Sequence, residues 1–267
     1  MTTGRPNCID NRAARPHDHS GRRGRMTIPG GAGDVPHLIH SARMSTPRRF
    51  SQEPYSGPPG STELYLVRHG ASADAVEGED FELIDGHGNP PLSDIGREQA
   101  ELVGARLAHL QFEALYVTTL RRTVETAAPL IRRTGLNPIV ERDLREVNLG
   151  EWEGGLFRQK VADADPLAVR MMKEERWDVV PGAESPEVFG RRIRSAVERI
   201  ASAHTDARVV AFSHGAAIGE VLAQATGSRP FAFLMSDNTA IARLVLTPES
   251  WVLRGFNDTA HLHPWPS

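Results

Sequence analysis

Two β-prone runs in this chain lead into the same dipeptide, and that repetition constrains the fold more than any other feature. Glu63-Leu64-Tyr65-Leu66-Val67 leads into Arg68-His69-Gly70, and Arg208-Val209-Val210-Ala211-Phe212 leads into Ser213-His214-Gly215. Both apolar runs read as buried strands. After the second, Ile218, Val221, Leu222 and Ala225 share one face of a predicted helix. If the strands are parallel neighbours, both imidazoles reach the carboxyl edge of one sheet, where open α/β sheets bind ligands. Histidine can act as a nucleophile, and the planar fork of arginine fits phosphate oxygens. Gly70 is expected to let backbone approach a bound group closely.

The intervening sequence adds to this. Glu113 to Val117 reads as a short strand, with Thr118 or Thr119 as the N-cap of a helix that carries Arg122 in its first turn. A cation there opposes the helix dipole, so an anionic partner is expected. Arg121 reads as a surface residue. A strand at Ile139-Val140 gives way to a loop holding Glu146, a carboxylate suited to protonate a leaving alkoxide. Ser93 is a predicted N-cap, with Ile95, Gln99, Leu102 and Leu107 near one helix face. Ser185-Pro186 starts another helix, with Phe189, Ile193, Val197 and Ile200 on its apolar side. Late strands are expected at Ala240 to Leu246 and Trp251 to Arg254. The alternation implies three layers, helices on both faces of a mainly parallel sheet. Asp74 to Pro91 and Glu153 to Pro181 are irregular insertions. The second carries Met171, Met172, Trp177, Arg158, Lys160, Arg170 and Lys173, and reads as a helical cap that buries its own apolar residues.

These pieces resemble the histidine phosphatase superfamily, the phosphoglycerate mutase-like proteins. The motifs are Arg68-His69-Gly70, Pro91-Leu92-Ser93 through Gln99-Ala100, Thr118 to Ala127, Leu144 to Gly154, Pro181 to Ser185, and Ser213-His214-Gly215, in order over roughly residues 61 to 257. The resemblance implies a three-layer α/β/α sandwich around a mixed sheet of about six strands. It also implies a phosphatase that passes a phosphoryl group through His69. Arg68, Arg122 and His214 would hold the equatorial oxygens, with Gly70 and Gly215 also at the substrate, and Glu146 would serve as acid and base. No metal or cofactor is implied, and there is no zinc-type Cys/His spacing, calcium loop or Walker A loop.

A mutase-type transfer is the alternative. Mutases usually carry Glu after Arg-His-Gly and Asn a turn later, whereas this chain has Ala71 and Ala75. They also carry Arg-His-Tyr where this chain has Val147-Asn148-Leu149, and the Asp often found before Pro-Leu is Asn89. A more distant alternative takes Ala211 to Gly215 as the nucleophile elbow of a serine hydrolase, with Ser213, then Asp237 or Asp258, then His261 as its triad. That reading leaves Arg68, His69, Arg122 and Glu146 without a task.

Composition bounds the rest. Residues 1–60 hold nine Arg, four acids, eight Gly and eight Pro, with no periodic apolar pattern; this extension is expected to be disordered. Its charge of about +5 leaves about −8 for residues 61–267 in a chain of net charge −3. An acidic body is not the footprint of a nucleic-acid binder. The expected partner is a small phosphomonoester, and a homodimer stays open. No run approaches membrane-spanning length. The only cysteine, Cys8, lies in the extension, so no intrachain disulfide forms and a cytoplasmic location is the default.

Overall fold

The structure, a computed structural model, describes residues 49–263. The first 48 residues of the extension lie outside this range. The compact body starts at Pro54, seven residues before Ser61. Tyr55 lies under the Arg254 guanidinium at 4.1 Å, and Gly60 N–H donates to Asp206 at 2.5 Å.

Among the described residues eight strands and six α-helices follow one another: β1 (Thr62–Arg68), β2 (Leu83–Ile84), β3 (His87–Gly88), α1 (Asp94–Leu107), β4 (Ala114–Val117), α2 (Arg121–Thr134), β5 (Pro138–Val140), α3 (Leu156–Ala162), α4 (Pro166–Glu174), α5 (Pro186–Ala203), β6 (Arg208–Ser213), α6 (Gly215–Thr226), β7 (Ile241–Leu246) and β8 (Trp251–Asp258). Six strands form one sheet in the order β5-β4-β6-β1-β7-β8, and β2 and β3 form a small hairpin in the first insertion. Only β7 runs against its neighbours in the main sheet. The mixed α/β fold implied by the resemblance is therefore present.

Residues of β1 alternate between two cores because successive side chains of a strand point to opposite faces. Leu64 and Leu66 join α5 and α6 on one face, while Tyr65 and Val67 join α1 and α2 on the other. Burial on both sides explains the unbroken apolar runs of β1 and β6. Ser185 caps α5 as expected, and Phe189, Ile193, Val197 and Ile200 are all buried.

Two local expectations fail. In α1, Ser93 does cap the helix, accepting from Gly96 N–H, but Ile95 and Leu102 face solvent. The buried face is Gly96, Ala100, Val103, Gly104 and Leu107. Small residues let α1 lie close against α2, and that contact outweighs the larger apolar side chains on the other side. Neither Thr118 nor Thr119 caps α2. Leu120 occupies the cap position without a side-chain bond, and the Thr118 hydroxyl is engaged elsewhere. No helix among the described residues is long and apolar enough to cross a membrane.

Candidate active site

Parallel pairing of β1 with β6 sets Arg68 opposite Ser213. The next residue of each strand is a histidine, so the two rings meet with centroids 5.3 Å apart. His69 N–H donates to Ser213 O at 3.0 Å, which ties the two turns together. The expected convergence of His69 and His214 at one sheet edge is thus observed.

His69 is buried, and its Nδ1 lies 2.7 Å from Gly70 O. A carbonyl can only accept, so Nδ1 carries the proton and Nε2 keeps its lone pair. Burial, then the Arg122 and Arg68 charges, push the His69 pKa well below its ordinary 6.5. The ring is therefore neutral at neutral pH. His214 is fully buried, and the same causes, burial first and then Arg122 and His69, lower it as well. Its Nε2 meets Thr118 Oγ1 at 3.0 Å, which is where that hydroxyl goes in place of capping α2.

Two arginines complete the cationic end. Arg68 donates through Nη1 to Ser236 O. Arg122, the second residue of α2, donates to Gly88 O at 2.9 Å. Burial lowers the Arg122 pKa to about 10, which leaves it charged at neutral pH. Three buried polar atoms here, Arg68 Nε, His214 Nδ1 and Ser236 Oγ, have no hydrogen-bond partner among the described residues. Buried polar groups are nearly always satisfied, so these atoms mark room for ligand oxygens; Arg68 and Ser236 line a cavity beside them and His214 does not.

Glu146 reaches the site from the loop after β5. Its carboxyl accepts from the backbone N–H groups of Val147 (3.1 Å), Ala216 (3.2 Å) and Ala217 (3.1 Å), the last two in the first turn of α6. Its main chain is held just as firmly. Glu146 O accepts from His87 Nε2 at 3.1 Å and from Arg192 Nη2 at 2.8 Å. Arg192 also donates to the carbonyls of Asp143 and Arg145 and pairs with the mostly buried Glu184 at 2.7 Å. Sequence reasoning missed Arg192 and His87. The available signal for Arg192 was a guanidinium three residues after Phe189, at the margin of the apolar face of α5.

Arg68, His69, Arg122, Glu146 and Gly215 all line one cavity of about 620 Å³. Gly70 does not line it. Its N–H donates to Thr126 Oγ1, and a side chain there would meet Gly96 O at 2.6 Å. This glycine serves packing against α1, contrary to the expected close approach to a ligand. The cap buries its own apolar residues as expected, with Met171 at 0% and Trp177 at 6% exposed, while Met172 is half-exposed; Trp177 and Met172 also line the cavity. The serine-hydrolase constellation does not assemble. Ser213 Oγ is buried and donates to Leu144 O at 2.7 Å, whereas His261 contacts Thr239 and Arg106, and Asp258 pairs with Arg106. Asp237 lines the cavity and accepts from Asn257.

Comparison with known proteins agrees with this geometry. Residues 64–259 match the profile of the histidine phosphatase superfamily, branch 1. A phosphoglycerate mutase-like protein 4 of Arabidopsis thaliana is 32% identical over 205 residues, covering 75% of this chain and 86% of that one. The structure of a mycobacterial glucosyl-3-phosphoglycerate phosphatase superposes with a TM-score of 0.62 at 27% identity, covering 74% of this chain and 100% of the other. A phosphoglycerate mutase from Bacillus anthracis superposes at 0.65 with 21% identity over 76% and 96% of the two chains, a likeness of fold.

Proposed function

The chain belongs to the histidine phosphatase superfamily, and from that premise we propose that it hydrolyses a phosphomonoester through a phosphohistidine on His69. The observation that carries this reading is the His69 hydrogen bond to Gly70 O. It fixes a neutral tautomer whose Nε2 lone pair is free to attack phosphorus. Arg68, Arg122 and His214 would hold the equatorial oxygens, whose charge grows in the transition state. Their combined charge and donors fit a reaction with no metal step. Glu146 would protonate the leaving oxygen and then take a proton from the water that cleaves phospho-His69. Ser213 has no part in it.

Hydrolysis is favoured over mutase transfer by Ala71, Ala75 and Val147 to Leu149. A mutase must shield its phosphohistidine from water and retain the intermediate, and none of these residues offers a charged contact for that. The test is rapid quench with a labelled aryl phosphate in the presence of chelator. Acid-labile phosphate is expected on the wild type and not on His69→Ala, followed by steady release of inorganic phosphate. Absence of the labile label from wild type during turnover would refute the covalent route. Incubation with 3-phosphoglycerate that gives its isomer much faster than phosphate would favour the mutase.

A further inference from the structure

Away from His69 the cavity changes character. Its far walls are Leu149 and Trp152, from the loop after Glu146, and Phe81, Phe157, Met172 and Trp177, from the two insertions. Aromatic rings continue one into the next, with centroids 6.3 Å apart for Trp152 and Phe157, 6.4 Å for Phe157 and Trp177, and 4.6 Å for Trp177 and Phe231.

Besides Arg68, His69, Arg122 and Glu146, the cavity is lined by three charged side chains, and each already has protein partners. Arg158 donates to Ala73 O at 2.7 Å and Ser72 Oγ at 2.6 Å, with its guanidinium 5.9 Å from the Phe81 ring centroid. Glu153 accepts from Gly88 N–H and Leu149 N–H. Asp237 accepts from Asn257 Nδ2 at 2.8 Å. A substrate carboxylate would face two acids and an arginine that already gives two of its N–H groups to the protein. Ser236 Oγ, buried and without a partner among the described residues, offers one bond, so a hydroxyl-rich alcohol would lose more hydrogen bonds to water than it regains.

We propose that the alcohol part of the substrate is apolar: the preferred ester is the phosphate of an aliphatic or aromatic alcohol long enough to reach the Phe157–Trp177 wall. This rests on the phosphatase reading and adds the leaving-group class. Burial of each methylene is favourable by an amount equivalent to roughly twofold to fourfold in kcat/KM.

A series of n-alkyl phosphates tests it, because leaving-group acidity stays constant while apolar length grows. From ethyl to octyl phosphate, six added methylenes, kcat/KM should rise by at least about 60-fold, and 3-phosphoglycerate and phosphoserine should fall below ethyl phosphate. In Met172→Glu, a half-exposed wall position on α4, the octyl-to-ethyl ratio should drop at least tenfold. A flat or falling series in an enzyme that still releases phosphate overturns the inference and leaves the phosphatase reading intact. No release from any ester, with no acid-labile phosphate on the protein, overturns the phosphatase reading itself.

Discussion

Arg192→Met separates two tasks that one guanidinium performs. Arg192 pairs with Glu184, and both side chains are largely buried, 16% and 11% exposed. It also donates to three backbone carbonyls, Asp143 O, Arg145 O and Glu146 O. Removing it leaves the Glu184 carboxylate buried with only the Asn148 N–H at 3.3 Å. Breaking one partner of a buried ion pair costs about 3–5 kcal/mol. The double variant Arg192→Met/Glu184→Met removes the unpaired charge, so most of that loss should return. Activity should not return with it. The loop holding Glu146 would still lack its anchor, and a displacement of about 1 Å at a catalytic group costs on the order of 100-fold in kcat. Urea unfolding of the two variants, alongside kcat for an aryl phosphate, reads both quantities. If the single variant loses less than about 1 kcal/mol, or if the double variant recovers full kcat, the reasoning fails.

Stability should fall on mild acidification. His69 and His214 have native pKa values well below 6.5, chiefly through burial. Below pH 6.5 each therefore binds a proton only when the chain unfolds, so stability is complete above that pH and declines beneath it by about 3 kcal/mol per pH unit for the pair. Denaturant titrations at pH 7.5, 6.0 and 5.0 check this, and an unchanged midpoint between pH 6.0 and 5.0 would contradict it. Gly96→Ala should be among the most damaging single-methyl additions, at about 3 kcal/mol or more. Its Cβ would lie 1.9 Å from Ala71 O, a backbone atom that also accepts from Ser93 N–H and Ser93 Oγ. A melting temperature within two degrees of wild type would show that the turn after His69 yields more easily than the geometry implies.

The strands and the two histidines were legible because periodicity and position determine them jointly: an apolar run, then His-Gly, twice. Helix faces were legible only where size and burial agree. In α5 they agree, and Phe189, Ile193, Val197 and Ile200 point inward. In α1 they conflict, since glycine and alanine give closer contact than Ile95 and Leu102 can. Thr118 shows a different limit. Its residue type suits a helix cap, but the hydroxyl is bonded to His214, ninety-six positions later. Arg192 and His87 act on Glu146 through its carbonyl, and a backbone acceptor leaves no mark in the residue types around it. The cavity wall was hidden for a related reason. Met172 and Trp177 carry the same apolar signal whether they fill a core or face a ligand.

The strand order has a consequence for synthesis. β6 lies between β4 and β1 but is translated after both, with ninety residues separating Val117 from Arg208. At roughly 5–20 residues per second, a nascent chain holds β1 and β4 for about 5–18 s before the strand that joins them exists. During that interval the ribosome carries both edges of β1 and the β6-facing edge of β4 unpaired. His69 has been made by then, but His214, which follows β6, has not. His69 and His214 therefore come together only when this late central strand lies between its older neighbours.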